Sequence, residues 1–293
     1  MSDEAPAPGQ LERWIRSSAT IIAPATALSA LLFYFGYVSA RSQYEYFGVD
    51  VDTIGLGTQD YIMRSPQPLL APLLVLTLVG AGVLALHTAV RRWITTAPAG
   101  VLRLARGFGI AGPALLGAGV VLLVIYTQLR DWALYNLVTP LLIALGAALT
   151  AYGARIRRLA AGTEHGSPLT RRTSSALIYV LIAAGIFWTT ATVAQWTGRG
   201  LAQYQAQNLN RLPSVIVDTK ERLYLRSPGV EETVLPDSQG QTFHYRYRRL
   251  RLLIHGHDRM FLVPDTWSAS NSTLIVAMDG SVRVQFQFQN QRP

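Results

Sequence analysis

Residues 173–198 read TSSALIYVLIAAGIFWTTATVAQWTG, twenty-six positions without a charge, with Arg171 and Arg172 just before them and Arg199 just after. A helix needs about 20 apolar residues to cross the hydrocarbon core of a bilayer, so this stretch is long enough to span one. Similar runs precede it. The residues after it alternate between polar and apolar, as β-strands do. The expected fold class is therefore a membrane α-helical bundle of five transmembrane helices, followed by a small all-β domain, sandwich or barrel, outside the cytoplasm.

Working back from the fifth run, four more uncharged windows occur at Ser17–Ala40, Ser65–Val90, Gly107–Leu129 and Trp132–Ala154. They place the spans at about 19–38, 69–90, 108–128, 133–153 and 175–196. Val38-Ser39-Ala40 has the look of a signal-peptide cleavage site. The run before it is longer than the usual ~7–15-residue apolar core of such peptides, so it reads as a span. Pro24, Pro72 and Pro140 fall inside or near the starts of spans, where neighbouring helices can satisfy the freed carbonyls. Gly80, Gly82, Gly117, Gly119 and Gly146 offer small surfaces for close helix approach. Only 15% of the 293 residues are charged, against about 25% in soluble domains.

The arginines set the expected orientation. With the N-terminus in the cytoplasm, the inner segments hold Arg13, Arg16, Arg91, Arg92, Arg103, Arg106, Arg155, Arg157, Arg158, Arg171 and Arg172, and the outer ones hold Arg41, Arg64, Arg130 and Arg199. That asymmetry obeys the positive-inside rule and puts the C-terminus outside. The parts are then a cytoplasmic tail over 1–16, a transmembrane domain over 17–198, a helical stalk over 199–213 and an extracytoplasmic β-domain over 214–293. Because the formal charge of +9 is gathered in short clusters between apolar runs, it points to the bilayer and not to nucleic acid. Absence of cysteine excludes disulfides and thiol chemistry. No Asp, Glu, Lys or Arg lies inside a span, which argues against a proton-coupled pump.

Within the last eighty residues, strands are expected at Ser214–Asp218, Arg222–Arg226, Phe243–Ile254, Met260–Val263, Thr273–Met278 and Ser281–Gln289. Asp279-Gly280 is a two-residue hairpin signal between the last two. In the long strand, Phe243, Tyr245 and Tyr247 are odd-numbered whereas Leu250, Leu252 and Ile254 are even-numbered. A bulge near Arg248–Arg249 would keep both triplets inward. It would also gather Arg246, Arg248, Arg249 and Arg251, with Arg283 from another strand, into a candidate anion-binding face. Guanidinium groups suit phosphates bidentately, so lipid headgroups or an anionic wall polymer would be partners of the right chemistry.

The first loop, between the first two spans, carries a second candidate. Thr53-Ile54-Gly55-Leu56-Gly57 resembles the Thr-Val-Gly-Tyr-Gly filter of potassium channels, though the pore helix expected before it is replaced by SQYEYFGVDVD. The bland alternative is an interfacial loop with Tyr44, Tyr46, Phe47 and Tyr61 in the headgroup layer. Over Gln43–Ser65 the text QYEYFGVDVDTIGLGTQDYIMRS resembles an uncharacterised family of multi-pass membrane proteins of high-GC Gram-positive bacteria. Tyr44, Phe47, Gly48, Val49, Asp50, Gln59, Asp60, Tyr61, Arg64 and Ser65 carry the likeness. Taken with the filter text, the candidate loop motif comprises Phe47, Gly48, Asp50, Gly55, Gly57, Asp60 and Tyr61.

His255-Gly256-His257-Asp258 sits where a turn is needed between two apolar strands and lacks the ligands for tetrahedral zinc, so no metal is expected there. No Gly-x-Ser-x-Gly elbow occurs, which leaves hydrolase chemistry without a foothold. The reading is a non-enzymatic protein without a cofactor: an envelope sensor, scaffold or partner-binding protein, with a channel or transporter component working through Thr53–Gly57 as the alternative.

Overall fold

The computed structural model describes residues 8–96, 98–161, 168–225, 227–236, 238–268 and 270–287. Residues 1–7 of the expected tail, Arg226 and the end of the last expected strand lie outside them. Among the described residues, five helices are long and apolar enough to cross a membrane: Ile22–Glu45, Pro66–Ile94, Ala99–Val124, Tyr135–Leu159 and Thr173–Gln207. An antiparallel β-sheet comes after them. The chain is a multi-pass helical membrane protein with a small β-region at its C-terminal end. It divides into two compact units, one of residues 69–194 and one combining 1–68 with 195–293.

The first of these is helical. It holds most of α4 (Pro66–Thr96), then α5 (Pro98–Val124), a single turn α6 (Tyr126–Leu129), α7 (Tyr135–Ala161) and the first part of α8 (Pro168–Gln207). α5 and α7 run along each other with their backbones nearly touching. A Cβ on Gly112 would stand 2.6 Å from the Thr150 nitrogen, and one on Gly146 would stand 2.5 Å from the Leu116 nitrogen. Such contact is how helices associate where lipid removes the hydrophobic drive. Gly119 also packs here, against Ile143, whereas Gly80, Gly82 and Gly117 face open space. Sequence spacing did not separate these two groups, because an apolar run in lipid has no polar face to mark its orientation. Tyr135, almost fully buried, donates its hydroxyl to the Leu122 carbonyl at 3.0 Å and so satisfies an acceptor in the last turn of α5.

The other unit joins α1 (Pro8–Glu45), α2 (Val51–Ile54), α3 (Thr58–Arg64) and the end of α8 to the sheet. The strands are β1 (Ser214–Thr219), β2 (Glu231–Val234), β3 (Tyr245–His255), β4 (Arg259–Pro264), β5 (Leu274–Ala277) and β6 (Val282–Gln287). α8 runs unbroken past Gly198 to Gln207, and a 3-10 turn at Leu209–Arg211 leads into β1. Within the membrane helices of this unit, α1 and α8 come into backbone contact: a Cβ on Gly198 would stand 2.0 Å from the Ser39 carbonyl oxygen. One step along, the Gln43 amide donates to Gln205 at 2.8 Å.

The strand order is β5-β4-β3-β1-β6, with β2 also on β3. This corrects two expectations. Residues 222–225 are not a strand; the extra strand is β2, further on, where Glu231–Val234 pairs with Tyr245–Arg248. Nor does Asp279-Gly280 close a hairpin, since β5 and β6 lie at opposite edges of the sheet. Five residues of chain, Ala277 to Val282, reach at most about 18 Å, and a turn at Asp279–Val282 shortens that reach. The sheet must coil on itself to bring its edges so near. Its concave face then holds one apolar cluster drawn from both edges, with Val276 of β5 and Val282 of β6 beside Val215, Val217, Tyr247, Leu250, Met260 and Leu262.

β3 bulges twice. Val215 faces Leu250 but Val217 faces Tyr247, so Arg248 and Arg249 together oppose Ile216. Arg249 sits in the left-handed region at φ 62°. There β3 exchanges one neighbour for another: β2 pairs up to Arg248, and β4 begins at Leu250. The bulge keeps Tyr245, Tyr247, Leu250 and Leu252 on the concave side, as the change of phase predicts. A second bulge at Leu253 breaks that pattern, so Ile254 joins the opposite cluster.

The opposite, convex cluster joins the sheet to α1, α8 and the first loop. Leu253, Ile254, Phe261 and Val263 of the sheet pack with Ala40 and Tyr44 of α1, Ala202 of α8, and Phe47, Val49, Val51, Ile54 and Tyr61 of the first loop. β4 is buried on both sides for this reason, which explains its unbroken apolar run.

Candidate functional site

The arginines of β3 do lie opposite Tyr247 and Leu250, but most are matched within the fold. β3, β1 and β6 bring Arg246, Asp218 and Arg283 into direct register across three neighbouring strands. The Asp218 side chain is fully buried. It accepts from Arg246 Nε at 2.8 Å and Nη2 at 3.0 Å, and from Arg283 Nε at 3.0 Å and Nη2 at 2.6 Å. The hydrogen bonds from Arg246 outweigh the opposing effect of burial and, with those from Arg283, hold the Asp218 carboxyl below its ordinary range. This carboxylate, which the sequence reading missed, was findable: Asp218 falls on the polar side of β1 by simple alternation.

Arg249 is held at both ends. Its guanidinium donates to Asp265 at 2.9 Å and to Glu231 at 3.4 Å, while its carbonyl accepts the Asp265 amide at 3.0 Å. These contacts offset the roughly 1–2 kcal/mol that a left-handed non-glycine residue costs. Arg251 reaches the Leu212 carbonyl at 3.3 Å. Arg248 is exposed opposite Glu231 on β2. Three of the five candidate arginines, Arg246, Arg249 and Arg283, thus form a ladder of ion pairs with Asp218, Asp265 and Glu231, while Arg251 bonds a backbone carbonyl and Arg248 stays exposed.

One member of the ladder borders a cleft. Leu235, Pro236, Ser238, Gln239, Gly240, Gln241, Thr242, Phe243 and Arg283 line an open space of about 480 Å³. The Arg283 guanidinium lies 5.0 Å from the centre of the Phe243 ring, a cation–π distance. About half of the Arg283 side chain remains exposed after its bonds to Asp218. An aromatic face, a guanidinium and several amide and hydroxyl groups suit a polar ligand bearing negative charge.

In the first loop, the candidate residues build a fold of their own. Phe47 is buried, and its carbonyl accepts from the Thr273 hydroxyl at 2.6 Å while its ring meets Trp267 edge-on at 5.0 Å. Gly48 and Gly55 supply left-handed turns at φ 73° and 77°. Asp50 caps α2 by accepting the Asp52 amide at 3.1 Å, and Asp60 accepts the Gly57 amide at 2.8 Å at the start of α3, the usual use of a carboxylate at a helix N-terminus. Tyr61 packs edge-on against Phe33 and Tyr37 at 5.4 Å. Burial, and then the Asp52 carboxylate, push its hydroxyl up to about 12. Arg64 donates to the Tyr44 hydroxyl at 2.9 Å and rests over its ring.

The filter-like residues are spent on docking. Thr53 and Ile54 are the end of α2, the Ile54 side chain is buried in the convex cluster, and its carbonyl meets Gly256 of the β3–β4 turn. In that turn Asp258 pairs with Arg259 at 2.7 Å and His255 lies 2.8 Å from the Met278 sulfur. Among the described residues, no group of three His, Asp or Glu side chains is placed to hold a metal ion. Comparison with protein-family models, curated proteins and solved structures finds no match to this chain.

Proposed function

We propose that this protein is a non-enzymatic binding protein of the cell envelope, with its N-terminus in the cytoplasm and its sheet outside. In this reading it belongs with the multi-pass proteins of high-GC Gram-positive bacteria that residues 43–65 resemble. The observation that carries the proposal is the shared convex cluster, in which α1, α8 and the first loop close over one face of the sheet. A ligand held by the sheet is thereby held by two membrane helices, as a sensor or scaffold requires. The arginine asymmetry supports the orientation. A pore through the first loop draws less support, because Ile54 and its carbonyl are engaged with the sheet.

The cleft beside Phe243 and Arg283 is the preferred contact surface, and a phosphate-bearing wall polymer is the partner of matching chemistry. The test uses the full chain in lipid nanodiscs with such a polymer as probe. Binding at 0.1 M salt should weaken strongly at 1 M, where the Debye length falls from about 10 Å to about 3 Å. Phe243→Ala should weaken it as well, without the loss of an ion pair. Binding that ignores both changes, or no binding at low salt, would contradict this assignment of the cleft.

A further inference from the structure

The helical unit carries a second charged feature, unrelated to the sheet. α4 ends through Arg91 and Arg92, α5 begins through Arg103 and Arg106, and α7 ends through Arg155, Arg157 and Arg158. Their meeting is enforced by a small buried core of Val90 from α4, Val101 and Ala105 from α5, and Ile156 from α7. Arginines adjoin these core residues in sequence: Arg91 follows Val90, Arg106 follows Ala105, and Arg155 and Arg157 flank Ile156. The core thus gathers seven exposed arginines around one end of a three-helix cluster.

These helices bring no acid of their own: α4, α5 and α7 contain neither Asp nor Glu. Arg157 lies across the α5 backbone, its guanidinium carbon 3.5 Å from the point a Cβ on Gly109 would occupy. A side chain at 109 would contest that seat. The same turns expose Trp93, Leu102, Ile110 and Leu159, so apolar surface begins where the charge ends. We infer that this end of the helical unit is a headgroup site for anionic phospholipid. The guanidiniums take the phosphate and the adjoining apolar side chains take the acyl chains. A free polyanion would use the charge but leave the apolar margin unexplained.

The test compares the purified full chain in neutral detergent micelles doped with phosphatidylglycerol or with phosphatidylcholine, following thermal unfolding by tryptophan fluorescence. Phosphatidylglycerol should raise the unfolding temperature by several degrees over phosphatidylcholine. The triple variant Arg103→Gln, Arg106→Gln, Arg157→Gln should lose that difference, whereas Arg130→Gln, beyond the other end of α5, should keep it. Inorganic phosphate at matched charge should give no comparable shift; an equal shift would overturn the lipid assignment in favour of a simple phosphate site. Equal effects of the two lipids, or a difference that persists in the triple variant, would overturn the proposal. Should the triple variant fail to fold, native mass spectrometry of the wild-type chain decides: retained phosphatidylglycerol supports the site, and its absence after incubation with the lipid contradicts it.

Discussion

Gly256, in the turn between β3 and β4, lies against the carbonyl oxygen of Ile54 in the first loop, so close that a Cβ on it would stand 2.4 Å from that oxygen. Only glycine lets the two backbones meet at this distance. The contact fixes the loop on the sheet at the same point where Ile54 enters the convex cluster.

Substitution at this contact gives the first prediction. Gly256→Ala must push the loop off the turn or bend the hairpin, and should cost about 1–3 kcal/mol as overpacking does. Gly280→Ala, where the added carbon meets nothing within 4 Å, should leave stability nearly unchanged. Thermal unfolding of the two variants in detergent makes the comparison.

Asp218 provides the second. Asp218→Asn leaves two guanidiniums around a neutral amide and should destabilise by about 2–3 kcal/mol, toward the low end for a broken buried pair because the arginines are partly solvated. The folded-state carboxyl is held below its unfolded value. Its contribution is therefore present above the ordinary aspartate value of about 4 and lost as pH falls below it. A stability profile from pH 7 to pH 3 should fall less steeply at its acid end in the Asn variant than in the wild type.

How far the sequence revealed this arrangement varies by level. The five spans were legible because a run without charge is a one-dimensional signal, and bilayer thickness sets its length. The Arg248–Arg249 bulge was legible too, since Tyr247 and Leu250 are out of phase and only an extra residue restores them. Strand pairing was not. Asp279-Gly280 carries the local signal of a hairpin, yet the coiling of the whole sheet sends β6 to β1 instead. Nor does alternation along β3 reveal that Asp218 waits opposite Arg246, for register is a property of two strands together. The apolar loop residues Phe47, Val49 and Ile54 read equally well as membrane-interfacial, and only the three-dimensional fold assigns them to the sheet.

A third prediction tests the loop through its aromatic contact. Phe47 and Trp267 meet edge-on at 5.0 Å, a geometry worth about 0.5–1.5 kcal/mol beyond area burial. A double-mutant cycle with Phe47→Leu and Trp267→Leu should return a coupling energy in that range. Additive single effects would mean that the rings do not touch in solution.

The fourth concerns the sheet by itself. Cut out as residues 213–293, it would expose Leu253, Ile254, Phe261 and Val263, the face that α1, α8 and the first loop cover in the whole chain. Contiguous apolar surface of this kind promotes association. The excised segment should aggregate or show poorly dispersed amide resonances, and adding charge at Phe261 and Val263 should improve its solubility. A well-folded soluble monomer without such changes would show that the convex cluster is dispensable.

The most direct measurement uses the absence of native cysteine. An ideal Cβ on Gly55 lies 3.8 Å from the His257 Cβ, within the Cβ separation of about 3.5–4.5 Å that a disulfide needs. In the full chain in its membrane, Gly55→Cys combined with His257→Cys should cross-link under mild oxidation and resist maleimide labelling until reduced. Each single variant should remain labelled as a free thiol. If the double variant stays reduced and labels as fast as the single ones, the first loop is not seated on the β3–β4 turn, and the coupling of sheet to membrane helices proposed here fails with it.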